Sequence, residues 1–253
     1  FIILSFIGFF EEFSKREPKS EIQLLFIEEP EAHLHPQMQQ VFIKNIKKFV
    51  KEKKGWNVQI VITTHSSHIV AESAFKCIRY FDISSKKLDV KHLSTFQESE
   101  EAETIKFLKQ YMSLNKCDMF FADKIILIEG TVERLLLPEM IRADADKLQF
   151  QYISIVEVGG AYAHNFQKLL EFLNVKSLII TDIDCIDSKS NRSACKVQEG
   201  ANFLTCNETL KTWVPKKEKI ADLLKVTDAE KEVGKIRMAY QVREDGITQC
   251  GRS

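Results

Sequence analysis

Six short apolar runs mark the chain, at 22–28 (IQLLFIE), 58–64 (VQIVITT), 77–83 (CIRYFDI), 124–129 (KIILIE), 152–158 (YISIVEV) and 177–183 (SLIITDI). They are rich in Ile, Val and Leu and mostly lack polar alternation, the pattern of strands buried on both faces of a parallel sheet. Between them lie helical patterns. In 37–53 (QMQQVFIKNIKKFVKEK), Val41, Ile43, Ile46, Phe49 and Val50 roughly follow a 3.6-residue period, with lysines opposite. Strand after helix after strand predicts α/β layers. The rhythm breaks at 94–120, which turns acidic and then amphipathic with no strand. We therefore expect a first domain over 1–95, a linker helix over 96–120 and a second domain over 121–253.

With 253 residues there is room for one large domain or two ordinary ones, and for a core that needs no staple. Charge is balanced, 36 basic against 36 acidic side chains, so a nucleic-acid partner would need a local basic patch. The six cysteines, Cys77, Cys117, Cys185, Cys195, Cys206 and Cys250, form no C-x-x-C pair and fit no zinc spacing. They read as reduced thiols of a cytoplasmic protein. The apolar start at 1–10 is too short to span a bilayer, and no membrane association is expected. It also lacks the flanks of a signal peptide. The absence of an initiating Met and the abrupt end at QCGRS suggest a fragment.

The run LLFIEEPEAHLHP, 24–36, places Glu28 and Glu29 at the tip of an apolar strand. In open α/β sheets that edge is where ligands bind. Two ionised carboxylates ~4 Å apart repel by roughly 4 kcal/mol at an effective dielectric of ~20. Mg²⁺ carrying nucleotide phosphates would relieve this, with Glu28 on the metal side and Glu29 polarising the attacking water. A second strand runs into TTHSSH, setting His65 at its tip, within reach of a γ-phosphate or that water. Ser66 or Ser67 is placed to cap the next helix. His33 and His35 read as turn and interface residues, or as a zinc pair lacking a third ligand.

Together, LLFIEEPEAHLHP and VITTHSSHIV resemble the Walker B, D-loop and switch-histidine segments of ABC-type ATPases. The EEPE-HLHP variant is similar to the branch shared by OLD-family nucleases and relatives of RecF and SMC proteins. The resemblance implies that Glu28 is the Mg-side acid, Glu29 the catalytic glutamate, His65 the switch histidine, and EAHLHP a loop touching the opposite protomer. No G-x-x-x-x-G-K-[ST] occurs in the chain. ATP would therefore be bound by the full-length protein rather than by this stretch.

A second constellation follows in KIILIEGTVERLLLPEMI. Glu129 ends an apolar strand, Gly130 suits a tight turn, and Glu133 falls in the first turn of a helix. IVEVGG ends a strand at Gly159 and Gly160, where backbone can approach a ligand closely. SLIITDIDCID brings Asp182 and Asp184 to a third strand end, on one face if the chain stays extended. Four acids converging on one edge call for divalent metal, and hard oxygen ligands favour Mg²⁺ or Mn²⁺. Plainer roles are a solvated turn with capping aspartates for Asp182 and Asp184, a helix-dipole acid for Glu133, and a turn residue for Asp187.

The order Glu129-Gly130, Gly159-Gly160, Asp182-x-Asp184 resembles the Toprim domain of topoisomerases, primases and OLD-family nucleases. Glu133 followed by RLLLP is similar to the OLD version. The implied architecture is α/β: a partial ABC-type parallel sheet (1–95), then a Rossmann-like Toprim domain (121–253). The implied function is a metal-dependent DNA endonuclease gated by an ATPase domain. Glu129, Asp182 and Asp184 would be catalytic metal ligands, Glu133 would join them at the metal, and water would attack a DNA phosphodiester in line. The resemblance also implies a homodimer or higher homo-oligomer through the ATPase heads, a helicase-like partner and a role in defence against phage. Family nucleases use a lysine as well, for which Lys231 and Lys235 are candidates. A RecF- or SMC-like DNA-binding ATPase without nuclease activity is the competing reading. A primase or topoisomerase is disfavoured, because zinc-ribbon cysteines and a recognisable strand-passage tyrosine are lacking.

Overall fold

The computed structural model describes residues 22–52, 57–83, 87–112, 114–190, 193–198, 200–244 and 247–248, with Gly8, Glu11, Glu12 and Lys15. The apolar run at 1–10, apart from Gly8, lies outside the described residues, as do Cys250 and the QCGRS end. The chain divides into two compact units, one of residues 1–78 and 112–118, the other of residues 79–111 and 119–253.

In the first unit, β1 (Gln23–Glu28) pairs in parallel with β2 (Val58–Thr63), in the register Glu28↔Thr63. Helix α1 (Pro36–Glu52) connects them. Its apolar stripe, Phe42, Ile43 and Ile46, packs with Ile69 of α2 (Ser67–Ala71) and with Ile27, Ile60 and Ile62 of the strands. Both strands alternate between half-buried and exposed positions, with Leu24 and Phe26 exposed. The double-sided burial expected of them is therefore not seen among the described residues.

The second unit holds a five-stranded sheet in the order β11-β12-β7-β5-β6. Its members are β5 (Lys124–Ile128), β6 (Ile153–Glu157), β7 (Lys176–Ile180), β11 (Glu232–Val233) and β12 (Ile236–Ala239). Strands β12, β7, β5 and β6 run parallel, and β11 is an antiparallel edge. Central β5 is buried on both faces, with Ile125, Leu127 and Ile128 fully enclosed, as its unbroken apolar run predicts. Helix α6 (Gln167–Leu173) buries Leu169, Leu170 and Leu173 and ends on Asn174 in the left-handed conformation, φ 60°, a common helix terminator.

The run at 77–83 departs from expectation. Only Arg79–Asp82 is extended (β3), and it pairs antiparallel with β4 (Asp89–His92) instead of entering a parallel sheet. Asp82 is buried, which a charged residue tolerates only when paired. Lys91 Nζ meets it at 2.6 Å and also donates to Phe172 O at 2.8 Å. Residues 79–111, divided by the sequence between a first domain and a linker, pack with 119–253. Aromatic contacts account for this. The Phe96 and Phe172 rings lie 5.0 Å apart, and Phe107 and Tyr111 meet Phe166 at 5.6 and 5.8 Å.

Phe166 is fully buried at this aromatic junction. Phe166→Ala is expected to destabilise the second unit by about 3–5 kcal/mol, read as a lowered urea midpoint at unchanged slope.

Candidate metal centre and a second acidic strand tip

Chain connectivity places the acidic tip. From β5 the chain crosses to β6 on one side, and from β7 it continues to β12 on the other. The crevice beyond the C-terminal ends of β5 and β7 is thus a topological switch point, the default ligand position in open α/β sheets. Glu129 follows β5 and Asp182 follows β7.

Glu129 Oε1 accepts from three donors: Thr181 Oγ1, Asp182 N at 2.9 Å and Asn207 Nδ2 at 3.3 Å. Burial pushes the Glu129 carboxyl above its ordinary range. The Thr181 and Asp182 hydrogen bonds pull it back, and the Asp182 and Asp184 charges push it up again. Burial is the largest influence, and the net direction is upward.

Strand β7 stops at Ile180, short of the expected 183. The aspartates stand on the loop beyond, where Thr181 and Ile183 are buried while Asp182 and Asp184 are half-buried. Asp184 takes a left-handed backbone, φ 49°, a region that Asp enters more readily than most residues. Asp182 Oδ1 accepts from Gln241 Nε2 at 2.5 Å, while Gln241 Oε1 accepts from Ile183 N at 2.8 Å.

Three of these residues have no counterpart in the sequence reading: Thr181, Asn207 and Gln241. Asn207 is fully buried. Its Oδ1 caps helix α7 (Glu208–Thr212) through Thr209 N and Leu210 N, while its Nδ2 also reaches Thr181 Oγ1 and Asp182 O. An Asn before a polar helix start signals a cap. Nothing local signals its reach to Glu129.

Glu133 spends Oε2 on Gly130 N at 3.1 Å, a contact that closes its own helix α5 (Thr131–Asp144). Gly130 is extended, φ −153°, so its turn imposes no left-handed strain. Gly159 does require glycine, at φ 65°. Asp187 is a turn residue, accepting from Asn202 Nδ2 at 2.8 Å and Lys189 N at 2.9 Å. These bonds, Asn202 first, hold its carboxyl below the usual range. Lys235 is bound to Asn174 O at 2.7 Å, at the start of β12 and so at the sheet edge opposite the acids. Lys231 is buried, 3.6 Å from Asp228 and 5.1 Å from the Tyr240 ring centre.

Carboxylate oxygens are the donors that Mg²⁺ and Mn²⁺ prefer. Among the described residues, however, no three His, Cys, Asp or Glu side chains are arranged to hold an ion. Glu129 Oε1 and Asp182 Oδ1 face protein donors instead. The donor chemistry fits a divalent cation, and here each of the two carboxylates rests on neighbouring hydrogen-bond donors.

At the other tip, Glu29 follows β1 in the left-handed region, φ 39°, ψ 57°, with its N–H donating to Thr63 O at 3.0 Å. Its Oε1 lies 3.2 Å from His65 Nε2, and both side chains are largely exposed. Glu28, the last residue of β1, is exposed. Glu31 Oε1 accepts from Thr64 Oγ1 at 2.8 Å and His65 N at 2.5 Å, a linking role unforeseen in the sequence. Ser66 is the cap of α2. It is anchored in turn by buried Gln39, whose Oε1 accepts from Ser66 Oγ at 2.5 Å. His33 is exposed and belongs to no three-residue metal group among the described residues.

Asn207→Ala is expected to cost about 1–3 kcal/mol by leaving buried groups unpaired, measured by urea unfolding. Glu129 adds a pH signature. Its folded pKa is raised, so its contribution to stability is present at acid pH and fades as pH rises from the ordinary carboxylate value through the raised one. In chelator, Glu129→Gln is expected to flatten that part of the stability–pH curve.

Residues 1–70 match the family model described as an AAA ATPase domain, and residues 120–184 match the Toprim domain of overcoming-lysogenization-defect-like proteins. Endonuclease GajA of Bacillus cereus (strain HuB5-5) is 31% identical over 95% of this chain and 37% of its own length. The OLD nuclease of Thermus scotoductus is 24% identical over 78% of this chain and 37% of its own. The Old nuclease of Escherichia phage P2 is 23% identical over 74% and 32%. The chain spans about a third of the length of the curated relatives it matches. Along the chain, a segment similar to AAA ATPase domains is thus followed by one similar to the Toprim domain of OLD-like proteins.

Proposed function

We propose that the full-length protein is a metal-dependent DNA endonuclease of OLD type, hydrolysing phosphodiesters under the control of its ATPase domain. The observation that carries this reading is the meeting of Glu129 with the Asp182 backbone at a sheet switch point, with Asp184 two residues on. Divalent ions bound there would stabilise the attacking and leaving oxygens of an in-line displacement. Glu129, Asp182 and Asp184 would hold them, Mg²⁺ or Mn²⁺ by ligand type. Asn207 and Thr181 orient Glu129, and Gln241 orients Asp182. Glu133 fits a supporting role through the first turn of its helix.

In the ATPase segment, Glu28 would face the nucleotide's Mg²⁺, Glu29 would polarise the hydrolytic water and His65 would sense the γ-phosphate. Glu31 sets the backbone of His65. Homo-oligomerisation through ATPase heads, a helicase-like partner, cytoplasmic residence and anti-phage defence belong to the same proposal. No described helix is long and apolar enough to cross a membrane.

The test is plasmid cleavage by the full-length protein across a Mg²⁺ and Mn²⁺ titration. Wild type is expected to cut with metal and not in chelator, and Asp182→Ala to lose at least 100-fold in rate, an order-of-magnitude figure for lost transition-state charge stabilisation of about 2.7 kcal/mol or more. Equal inertness of both proteins across metals, with DNA binding retained, would instead establish the DNA-binding ATPase.

A further inference from the structure

Beside the acidic tip, β8 (Cys185–Asp187) pairs antiparallel with β9 (Ser193–Ala194), in the register Ile186↔Ala194 and Asp187↔Ser193. The next opposed pair in that register is Cys185 and Cys195, and Cys195 N donates to Cys185 O at 2.9 Å. Their sulfur atoms lie 3.3 Å apart. Opposed residues of an antiparallel pair have Cα atoms about 4.5–5.5 Å apart, inside the span a disulfide bridges, about 4.4–6.8 Å. Bond formation therefore asks the sulfurs to close to about 2.05 Å with little demand on the backbone. Cys185 is buried at 4% exposure, while Cys195 is half-buried and so the more accessible residue of the two.

We propose that Cys185 and Cys195 form a redox-modification site, a cross-strand thiol pair that hydrogen peroxide converts reversibly to a disulfide. The sulfur of Cys195 attacks one peroxide oxygen. The O–O bond breaks, giving a sulfenic acid on Cys195 and one water. The sulfur of Cys185 then attacks the sulfur of Cys195. The S–O bond breaks, and the hydroxyl leaves with the Cys185 proton as a second water. Two thiols are oxidised by two electrons in all, and one peroxide is reduced to two waters. Cys185 follows Asp184 directly, so the bond would fix the hairpin next to the aspartate pair. The inference rests on strand register and sulfur contact, and stands whether or not the protein cuts DNA.

The experiment uses the full-length protein, fully reduced, then exposed to a small molar excess of hydrogen peroxide. Free thiols are blocked with N-ethylmaleimide, and the protein is digested without reduction for peptide mass spectrometry. Cleavage after Lys189 separates the two cysteines. Expected is a cross-linked peptide pair bearing Cys185 and Cys195, two hydrogens lighter than the reduced pair and released by dithiothreitol. In Cys195→Ser that species is expected to be absent, with no cross-link to Cys185. A wild-type protein in which Cys195 stays fully alkylatable, stops at sulfinic acid, or links to Cys206 or to another chain overturns the proposal. The wild-type measurement decides by itself if the variant folds poorly.

Discussion

One carboxylate oxygen ties together the acidic edge of the second unit. Oε1 of Glu129 is shared by the Thr181 hydroxyl, the Asp182 N–H and the Asn207 amide. The three donors belong to the end of β7 and the cap of a helix, while the acceptor belongs to the end of β5. A half-buried carboxylate with no partners would be expensive. Here the donors offset part of that cost, yet burial still outweighs them and holds the carboxyl above its ordinary range. The site is thus a balance between desolvation and hydrogen bonding. A divalent cation would shift that balance strongly toward the ionised form.

The compromise exists because of sheet order. Were β5, β6 and β7 laid down in sequence, Glu129 and Asp182 would be separated by a strand. The return of the chain across β5 makes β5 and β7 neighbours, in the register Leu127↔Ile179, and their tips meet. Gln241 enters for the same reason. Strand β12 adds beside β7, in the register Ala239↔Ile180, and the residue two positions beyond its end arrives at Asp182. Three consecutive parallel neighbours therefore deliver an acid, an acid pair and an amide to one edge.

What the sequence disclosed follows the same division. The uniform apolar run of β5 announced a doubly buried strand, and Glu129, Asp182 and Asp184 were legible as charges stationed where such runs stop. Thr181, Asn207 and Gln241 were not legible, because their partners lie 52, 78 and 59 residues away in the chain. No local periodicity encodes those meetings. The run at 77–83 misled in the opposite sense. Its apolar content suggested a strand buried on both faces, but β3 pairs with β4 in a hairpin, across which Asp82 meets Lys91. Helix α5 also resists pattern reading: it buries no residue and exposes Val132, Leu135, Leu136 and Met140 among the described residues.

The acidic tip of the first unit solves a similar problem with less burial. The Glu29–His65 contact of 3.2 Å joins two side chains that are 50% and 79% exposed. Exposed pairs of this kind contribute little, about 0–1 kcal/mol, and are screened by salt. The pair therefore does not fix its own geometry. Glu31 does more, because it accepts from both the hydroxyl of Thr64 and the N–H of His65, and its second oxygen is buried without a protein partner. Pro30, buried at the first helical position, sets the short 3-10 turn that carries Glu31 there. Glu29 meanwhile keeps a left-handed backbone secured by Thr63 O. The backbone of His65 is thus tied through Glu31 to the turn after β1, the same turn that carries Glu29.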